Sequence, residues 1–438
     1  MIMNPSGLTV PFAILCIVDL FGVYPIVVLP GPIIKCGWFG IPLAVMVFAV
    51  QMYTAILLGK CWIIAEEIDP SIDKKNRYPY AALAELIFGN KVKRIVTVML
   101  DIAVFGACIP NLLIASYNFH VLGLKLSADS FDVSPCVWLI VVGIVLCPLL
   151  WLGSPKDMKW IALSSVFSVC FVSVLTWIAM MDTQREEYQT IGGPSWNSVA
   201  LAYGILAFQF DVHPLVLTVQ MDMVDKRKLP LVIVWAFSIT CSLFLITTTI
   251  GYVRFGSVLS TNLLDELSDS RFLNVDITLV TIQICLSTVV STTALFQHIE
   301  HFLRIPREFN WKRCVLRSSV VMVAVAIGEA VPRFDLLMGL VGALLTGPLM
   351  FLLPPLFYVK IRSLRRLKIK TSDRVCYRTF PDAAVVPIPV VGFKRLTLLA
   401  FIVLTGTLAT VLSTVSSVRD TIIYAQFTPS CIMQLLYD

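Results

Sequence analysis

Asp211 and His213 lie two positions apart in Phe208-Gln209-Phe210-Asp211-Val212-His213-Pro214, inside a run otherwise rich in apolar residues. An acid at the centre of an apolar membrane helix costs about 2.5–3.5 kcal/mol, so such a group is a candidate for holding a polar ligand or passing a proton. The competing assignment is a buried structural hydrogen bond. Asp19 stands one helical turn before a second polar fault, Gly22-Val23-Tyr24-Pro25. Ser287, Thr288, Ser291, Thr292 and Thr293 place hydroxyls at helical spacing in a third run. Ser291 and Thr292 are candidate oxygen ligands for a hard cation such as sodium, although hydroxyls in lipid also cap carbonyls and pack helices. The other ionisable groups in apolar runs are Asp101 and Glu329, the latter near enough to the end of its run to reach water.

The elements that carry these residues are apolar runs of about 20 residues, the length that spans a bilayer. Eleven are predicted, over 9–33, 38–59, 95–120, 136–152, 160–181, 198–220, 230–253, 274–298, 314–331, 335–359 and 396–418. A chain that is 58% hydrophobic and only 14% charged cannot hide that much apolar surface in one soluble core, so lipid is its solvent. The whole chain, 1–438, is expected to form one all-α polytopic transmembrane domain. All Lys and Arg except Lys35, Lys125, Arg185, Arg254, Arg271, Arg333 and Arg419 fall on one set of alternate loops. The positive-inside bias then predicts a cytosolic N-terminus and, after eleven spans, a C-terminus outside or in a lumen. The same bias accounts for the net charge of +6 without a nucleic-acid partner.

The first apolar run has no basic residue before it and no small-residue cleavage pattern after it, which predicts that it stays as a span. Most of the twelve cysteines lie in or beside spans and read as small apolar residues. Cys36 and Cys136 both fall near the outer side, where pairing is open to them. No CxxC or His-x-His cluster points to a metal, and no cofactor is expected.

Two spans are interrupted. The first breaks at Gly22-Val23-Tyr24-Pro25, the sixth at Phe208 to Pro214. Proline removes a backbone donor and glycine lets the chain unwind, and unwound backbone survives at membrane depth only where protein or a water-filled cavity satisfies it. Breaks five spans apart are the spacing of two five-helix repeats inverted relative to each other, with the first helix of each broken at one shared cavity. A membrane-embedded acyltransferase would need His213 as its buried base, but that chemistry gives the paired breaks no role, so no enzyme is expected.

The stretches Val331-Pro332-Arg333-Phe334-Asp335-Leu336-Leu337, Leu340-Val341-Gly342-Ala343 and Phe351 to Tyr358 resemble the tenth-helix signature of the amino acid/auxin permease family. Leu29-Pro30 with Gly37-Trp38, Tyr78-Pro79 to Phe88-Gly89, and Gly251-Tyr252, Phe255-Gly256 and Asn262-Leu263-Leu264 agree in order, and His213 matches a histidine of several branches. The resemblance implies a LeuT-type 5+5 inverted-repeat fold of the APC superfamily and amino-acid transport driven by H+ or Na+. Two departures stand out. Val23, Tyr24, Pro25, Ile26, Val27 and Val28 occupy the places where the family is rich in glycine, and Asp211-Val212 replaces a Gly-Gly pair. They predict a narrower, more acidic pocket.

The sequence therefore reads as a secondary active transporter of amino acids or related small amines, symporting its substrate with H+ or Na+ by alternating access. Gly22, Val23, Tyr24, Phe208, Gln209, Asp211 and His213 are assigned to substrate, and Asp19, Ser291 and Thr292 to ion coupling. A membrane sensor that binds amino acids without moving them is the alternative. Plasma membrane and lysosome or vesicle both remain open.

Overall fold

The computed structural model describes residues 7–72, 78–127, 133–151, 158–183, 192–256, 259, 262–306, 309–331, 333–379 and 392–424, with backbone alone at helical residues 158–162, 294 and 369–379. Pro332 of the tenth-helix signature, the loop segments 73–77 and 380–391, and the tail ending at Asp438 lie outside the described residues. The described residues are almost wholly helical, apart from one isolated bridge between Leu8 and Met223.

Helices occur at each of the eleven expected places. The first span is α1 (Val10–Phe21), α2 (Tyr24–Val27) and α3 (Pro30–Lys35), bent by 47° at the break. α4 (Gly40–Ile68) follows, then a short buried helix α5 (Pro79–Phe88), α6 (Asn90–Ser127), α7 (Pro135–Trp151) and α8 (Met158–Asp182). The second broken span is α9 (Trp196–Gln209) and α10 (His213–Asp222), followed by α11 (Leu229–Arg254), α12 (Arg271–Phe302) and α13 (Trp311–Ala330). α14 (Phe334–Val341) runs through two π-helical turns, Gly342–Thr346 and Pro348–Leu352, into α15 (Leu353–Thr379), and α16 (Phe393–Tyr424) closes the fold. Among the described residues eight helices are long and apolar enough to cross a membrane, and the bent first pair makes up to nine. α7 falls short in length, while Lys312, Arg313, Arg317 and Glu329 weigh against α13. α13 nevertheless packs against α7 and α6 like its neighbours.

Local chemistry sets several boundaries. Pro25, Pro79, Pro214 and Pro230 sit in the first turns of α2, α5, α10 and α11, where a missing N–H costs no helical bond. Gly22 ends α1 at φ +59°, a left-handed conformation that a side chain would oppose. Large side chains such as Phe167, Phe171 and Val174 on α8 point outward, as lipid-facing positions should.

Two layers enclose the centre. Aromatic rings knit α1, α4, the second break and α11 together: Phe21 meets Phe210 at 5.4 Å and Phe237 at 5.0 Å, while Phe48 meets Phe210 at 4.8 Å and Phe237 at 4.9 Å, all edge to face. Edge-to-face pairs are favoured by the ring quadrupole, so this closed cycle makes one rigid block of four spans. The other layer is α6, α7, α8, α12 and α13. Between them α9 crosses the tenth span at backbone contact: a Cβ on Gly342 would stand 1.9 Å from the Gly204 carbonyl oxygen, and one on Gly204 2.5 Å from that of Gly339. Glycine is required there because backbone meets backbone.

The pairing left open for Cys36 and Cys136 does not form. Cys136 is disulfide-bonded, whereas Cys36 is a free thiol whose Sγ–H lies 3.3 Å from the Pro32 and Ser198 carbonyls, so the two do not pair. Asp276, inside the eighth expected span, lies fully buried in α12 and accepts a 2.7 Å hydrogen bond from Thr176.

Candidate functional site

The two breaks touch. Gln209, the last residue of α9, donates from Nε2 to the carbonyl of Phe21, the last residue of α1, at 2.6 Å. Each helix end leaves carbonyls without intrahelical partners, and here one broken helix satisfies the other.

Around the first break the polar groups form two strings. Below it Ser165 of α8 donates to the Asp19 carboxylate. Gln283 of α12 donates to Ser165 Oγ at 3.1 Å, and its amide crowds Gly22 so closely that a Cβ there would lie 2.9 Å from Nε2. Above it the Tyr24 hydroxyl donates to Asn111 Oδ1 of α6, Asn111 Nδ2 donates to Thr288 Oγ1 of α12 at 2.9 Å, and Thr288 donates to the Ile284 carbonyl at 2.7 Å. Val23 is fully buried, and Tyr24 nearly so.

The second break is built differently. The His213 backbone N–H donates to the Asp211 carboxylate. Thr54 Oγ1 of α4 lies 3.1 Å from the Gln51 carbonyl and 3.0 Å from His213 Nε2. With the Thr54 proton on Gln51, Nε2 is the donor and Nδ1 carries a bare lone pair. That Nδ1 faces Asp211 Oδ1 at 3.9 Å, and neither atom has a hydrogen-bond partner. His213 is wholly buried, and the Asp211 side chain is 10% exposed.

Both ends of the space between the layers are closed. At the basic-loop end Leu8 pairs with the chain after α10, its N–H reaching the Asp222 carbonyl at 2.6 Å and its carbonyl accepting from Val224 at 3.0 Å. Lys226 bonds Glu66 beside it. At the opposite end the helical turn Leu263–Glu266 packs on α2 with Leu263 and Leu264 buried. Asp265 there accepts from Tyr117 and, at 3.0 Å, from Asn262, while Lys125 pairs with Asp269 at 2.5 Å. Burial raises the Asp265 carboxyl to about 6 against these hydrogen bonds.

Comparison with known proteins assigns this architecture. A family model for the transmembrane amino acid transporter protein matches residues 10–393. The chain belongs to that family. The family is one of transporters rather than enzymes. Amino acid transporter AVT1J of Arabidopsis thaliana is 23% identical over 373 residues, spanning 82% of this chain and 84% of that one. AVT1D of the same organism is 20% identical over 344 residues, spanning 77% of this chain but only 60% of its own length. The crystal structure of MhsT in complex with L-phenylalanine aligns with a TM-score of 0.52 at 13% identity, covering 93% of this chain and 98% of that one, and shares the LeuT-type fold.

Of the sequence-assigned residues, Gln209 bonds the carbonyl next to Gly22, Asp19 lies on the same helix one turn earlier beside Ser165, Tyr24 reaches Asn111 of α6, and Asp211 faces His213 at the second break. Phe208 is partly buried on α9. Ser291 and Thr292 donate to the Thr288 carbonyl of their own helix at 3.3 and 2.6 Å, which leaves their oxygens' lone pairs uncommitted. Their neighbours Thr288 and Gln283 make the contacts described around the first break. Sequence reasoning passed over Gln51, Thr54, Asn111, Ser165 and Gln283. The amides at 51, 111 and 283 had a usable signal, since each is a lone polar group inside an apolar run where an unpaired amide is costly.

Proposed function

We propose that this protein is a secondary active transporter of amino acids, with substrate held between the two breaks and a proton as the coupling ion. The observation that carries the reading is the pair of orphaned atoms, Asp211 Oδ1 and His213 Nδ1, facing each other at 3.9 Å inside a broken membrane helix. One proton on either atom, with a small approach, makes a hydrogen bond and satisfies both. A sodium ion prefers oxygen ligands, and an imidazole nitrogen in this place does not serve it.

The start of α2 supplies the anion site. Val23 and Tyr24 begin a helix, where amides lack intrahelical acceptors and the dipole is positive, and this suits a substrate carboxylate. At α10 the equivalent amide already serves Asp211. Gln209 Nε2 stands on the Phe21 carbonyl where a substrate ammonium would donate, so substrate entry displaces that amide.

Alternating access then moves the ring-knit block of α1–α4, α9–α11 against the layer of α6, α8 and α12. The reading includes all eleven helical segments as spans of one domain, α7 and α13 among them, with the N-terminus cytosolic and the C-terminus on the other side. Purified protein in sealed vesicles, given radiolabelled amino acids under imposed proton or sodium gradients, tests it. Accumulation driven by the proton gradient and indifferent to replacing sodium with choline is the expected result. Saturable binding without accumulation would instead support a sensor.

A further inference from the structure

At the basic-loop end two guanidiniums meet on one tyrosine, and an ammonium from a third helix stands beside them. Tyr358 of α15 is buried, and its ring centre lies 5.7 Å from the guanidinium carbon of Arg362 and 5.4 Å from that of Arg395, in the first turn of α16. Arg395 Nη1 also donates to the Tyr358 hydroxyl at 3.1 Å. Lys60 of α4 is near enough for Arg395 to act on it as a like charge. A tyrosine face attracts each guanidinium through its quadrupole, but it does not cancel the repulsion between the cations it gathers.

The acids that could neutralise this cluster are already engaged. Arg365, one turn on from Arg362, pairs with Glu67 at 2.9 Å, and Lys226 bonds Glu66. Lys368 is turned to the end of α4, where it donates to the Ile68 carbonyl at 2.7 Å. Among the described residues Lys60 and Arg395 have no carboxylate partner, and both side chains are exposed. Cations drawn together from separate helices, with no acid between them and an open approach, suit an anion from outside the chain.

The surroundings indicate which anion. Phe393, Leu398 and Phe401 of α16 and Leu356 of α15 are exposed large apolar side chains, as positions facing acyl chains should be. A cation at the end of such a helix reaches the level of the lipid headgroups. The planar guanidinium fork takes phosphate oxygens two at a time, and the Tyr358 bond engages only Nη1 of Arg395.

We propose that Lys60, Arg362 and Arg395 bind the phosphate of an anionic phospholipid on the basic-loop side of the membrane, one headgroup joining α4, α15 and α16. α4 belongs to the ring-knit block and the other two do not, so the lipid bridges them. This site requires only that the chain spans a bilayer and stands apart from the transport reading.

The test is native mass spectrometry of the full chain in detergent, titrated with short-chain phosphatidic acid or phosphatidylcholine, with inorganic phosphate as competitor. Wild type should prefer phosphatidic acid by about tenfold or more, and inorganic phosphate should compete weakly. Arg395→Gln and Lys60→Gln should each weaken phosphatidic acid binding by roughly fivefold, the factor that one cation near an anionic surface supplies. Lys312→Gln removes an exposed cation at the start of α13 and should leave binding unchanged. Equal losses in all three variants would reduce the effect to general surface charge and overturn the site, as would unchanged binding in both Arg395→Gln and Lys60→Gln. Wild type that does not distinguish the two lipids overturns it whichever variants fold. Inorganic phosphate competing as well as the lipid would overturn the lipid as occupant in favour of a soluble anion.

Discussion

The first and second breaks differ in backbone and in the chemistry around it: the first bends its span by 47° at a left-handed Gly22, whereas the second interrupts Trp196–Asp222 with no positive φ and no bend of that size. At the first, the hydrogen bonds of Tyr24, Asn111 and Thr288 run without a gap from α2 to α12, while Asp19 Oδ1 and Gln283 Oε1 on the other side of the break are left without a partner. At the second, the break supplies its own carboxylate and imidazole and leaves the two facing atoms unpartnered. A satisfied network specifies one geometry, whereas an unsatisfied buried pair invites a ligand that completes it. Under the proposed function the proton belongs to the second break because its two orphaned atoms face each other.

Asp211→Asn should have the largest effect. The amide keeps the shape but does not ionise, so it cannot take up and release a proton, and proton-driven accumulation should fall to the level seen without a gradient while alanine counterflow persists. Retention of the gradient response would move the proton site elsewhere, with Asp19 the next carboxylate to test.

Gly22→Ala attacks the first break. Alanine at φ +59°, ψ −149° lies near a region populated almost only by glycine, with a cost of about 1–3 kcal/mol. Its Cβ would also press on Gln283 Nε2 at 2.9 Å. Uptake should fall by roughly 5–150-fold, the span that such an energy covers. Normal uptake at normal abundance would show that this left-handed turn is not what the transport cycle uses.

The contrast also marks how far the sequence could be read. The breaks were legible because glycine and proline announce themselves locally, and Asp211 and His213 because charges are conspicuous in an apolar run. Partner choice was not. Thr54 meets His213 across 159 positions and Gln209 meets Phe21 across 188. Neutral side chains carry no charge pattern by which such pairs declare themselves. Spans were legible from length and hydropathy, yet α13 shows the limit. Arg317 is fully buried on Glu300 at 2.7 Å and bonds the Leu150 carbonyl, so charges that argue against a span by composition are paired inside the fold. Helical spacing places Ser291 and Thr292 on one helix but does not say which neighbour their oxygens face.

Gln209→Leu joins the two regions. It strips the Phe21 carbonyl of its 2.6 Å partner, and a buried orphan acceptor costs about 1–3 kcal/mol. The free protein should melt at lower temperature. A substrate ammonium that takes over this carbonyl relieves the cost, so saturating amino acid should restore more stability to the variant than it adds to wild type. Equal stabilisation of both would separate Gln209 from the ammonium site.

The smallest effect concerns the turn Leu263–Glu266, which packs on α2 beside the first break. Burial raises the Asp265 carboxyl from its usual 3.8 to about 6, opposed by the Tyr117 and Asn262 hydrogen bonds and by Lys125, with Glu266 adding to the rise. A raised carboxyl means that the packed turn holds the proton more tightly than a loosened one. Its packing is therefore favoured as pH falls and weakens as pH rises from about 4 through about 6, with no further change above that. An acidic compartment on that side would accordingly hold the cover on α2 in place. Backbone hydrogen exchange across residues 262–269, corrected for the intrinsic pH dependence of exchange, should show more protection at pH 5 than at pH 7.5 in wild type. Asp265→Asn should remove the difference. Protection that stays pH-dependent in that variant would assign the response to Glu266, or to Asp269 with Lys125, and leave Asp265 a plain hydrogen-bond acceptor.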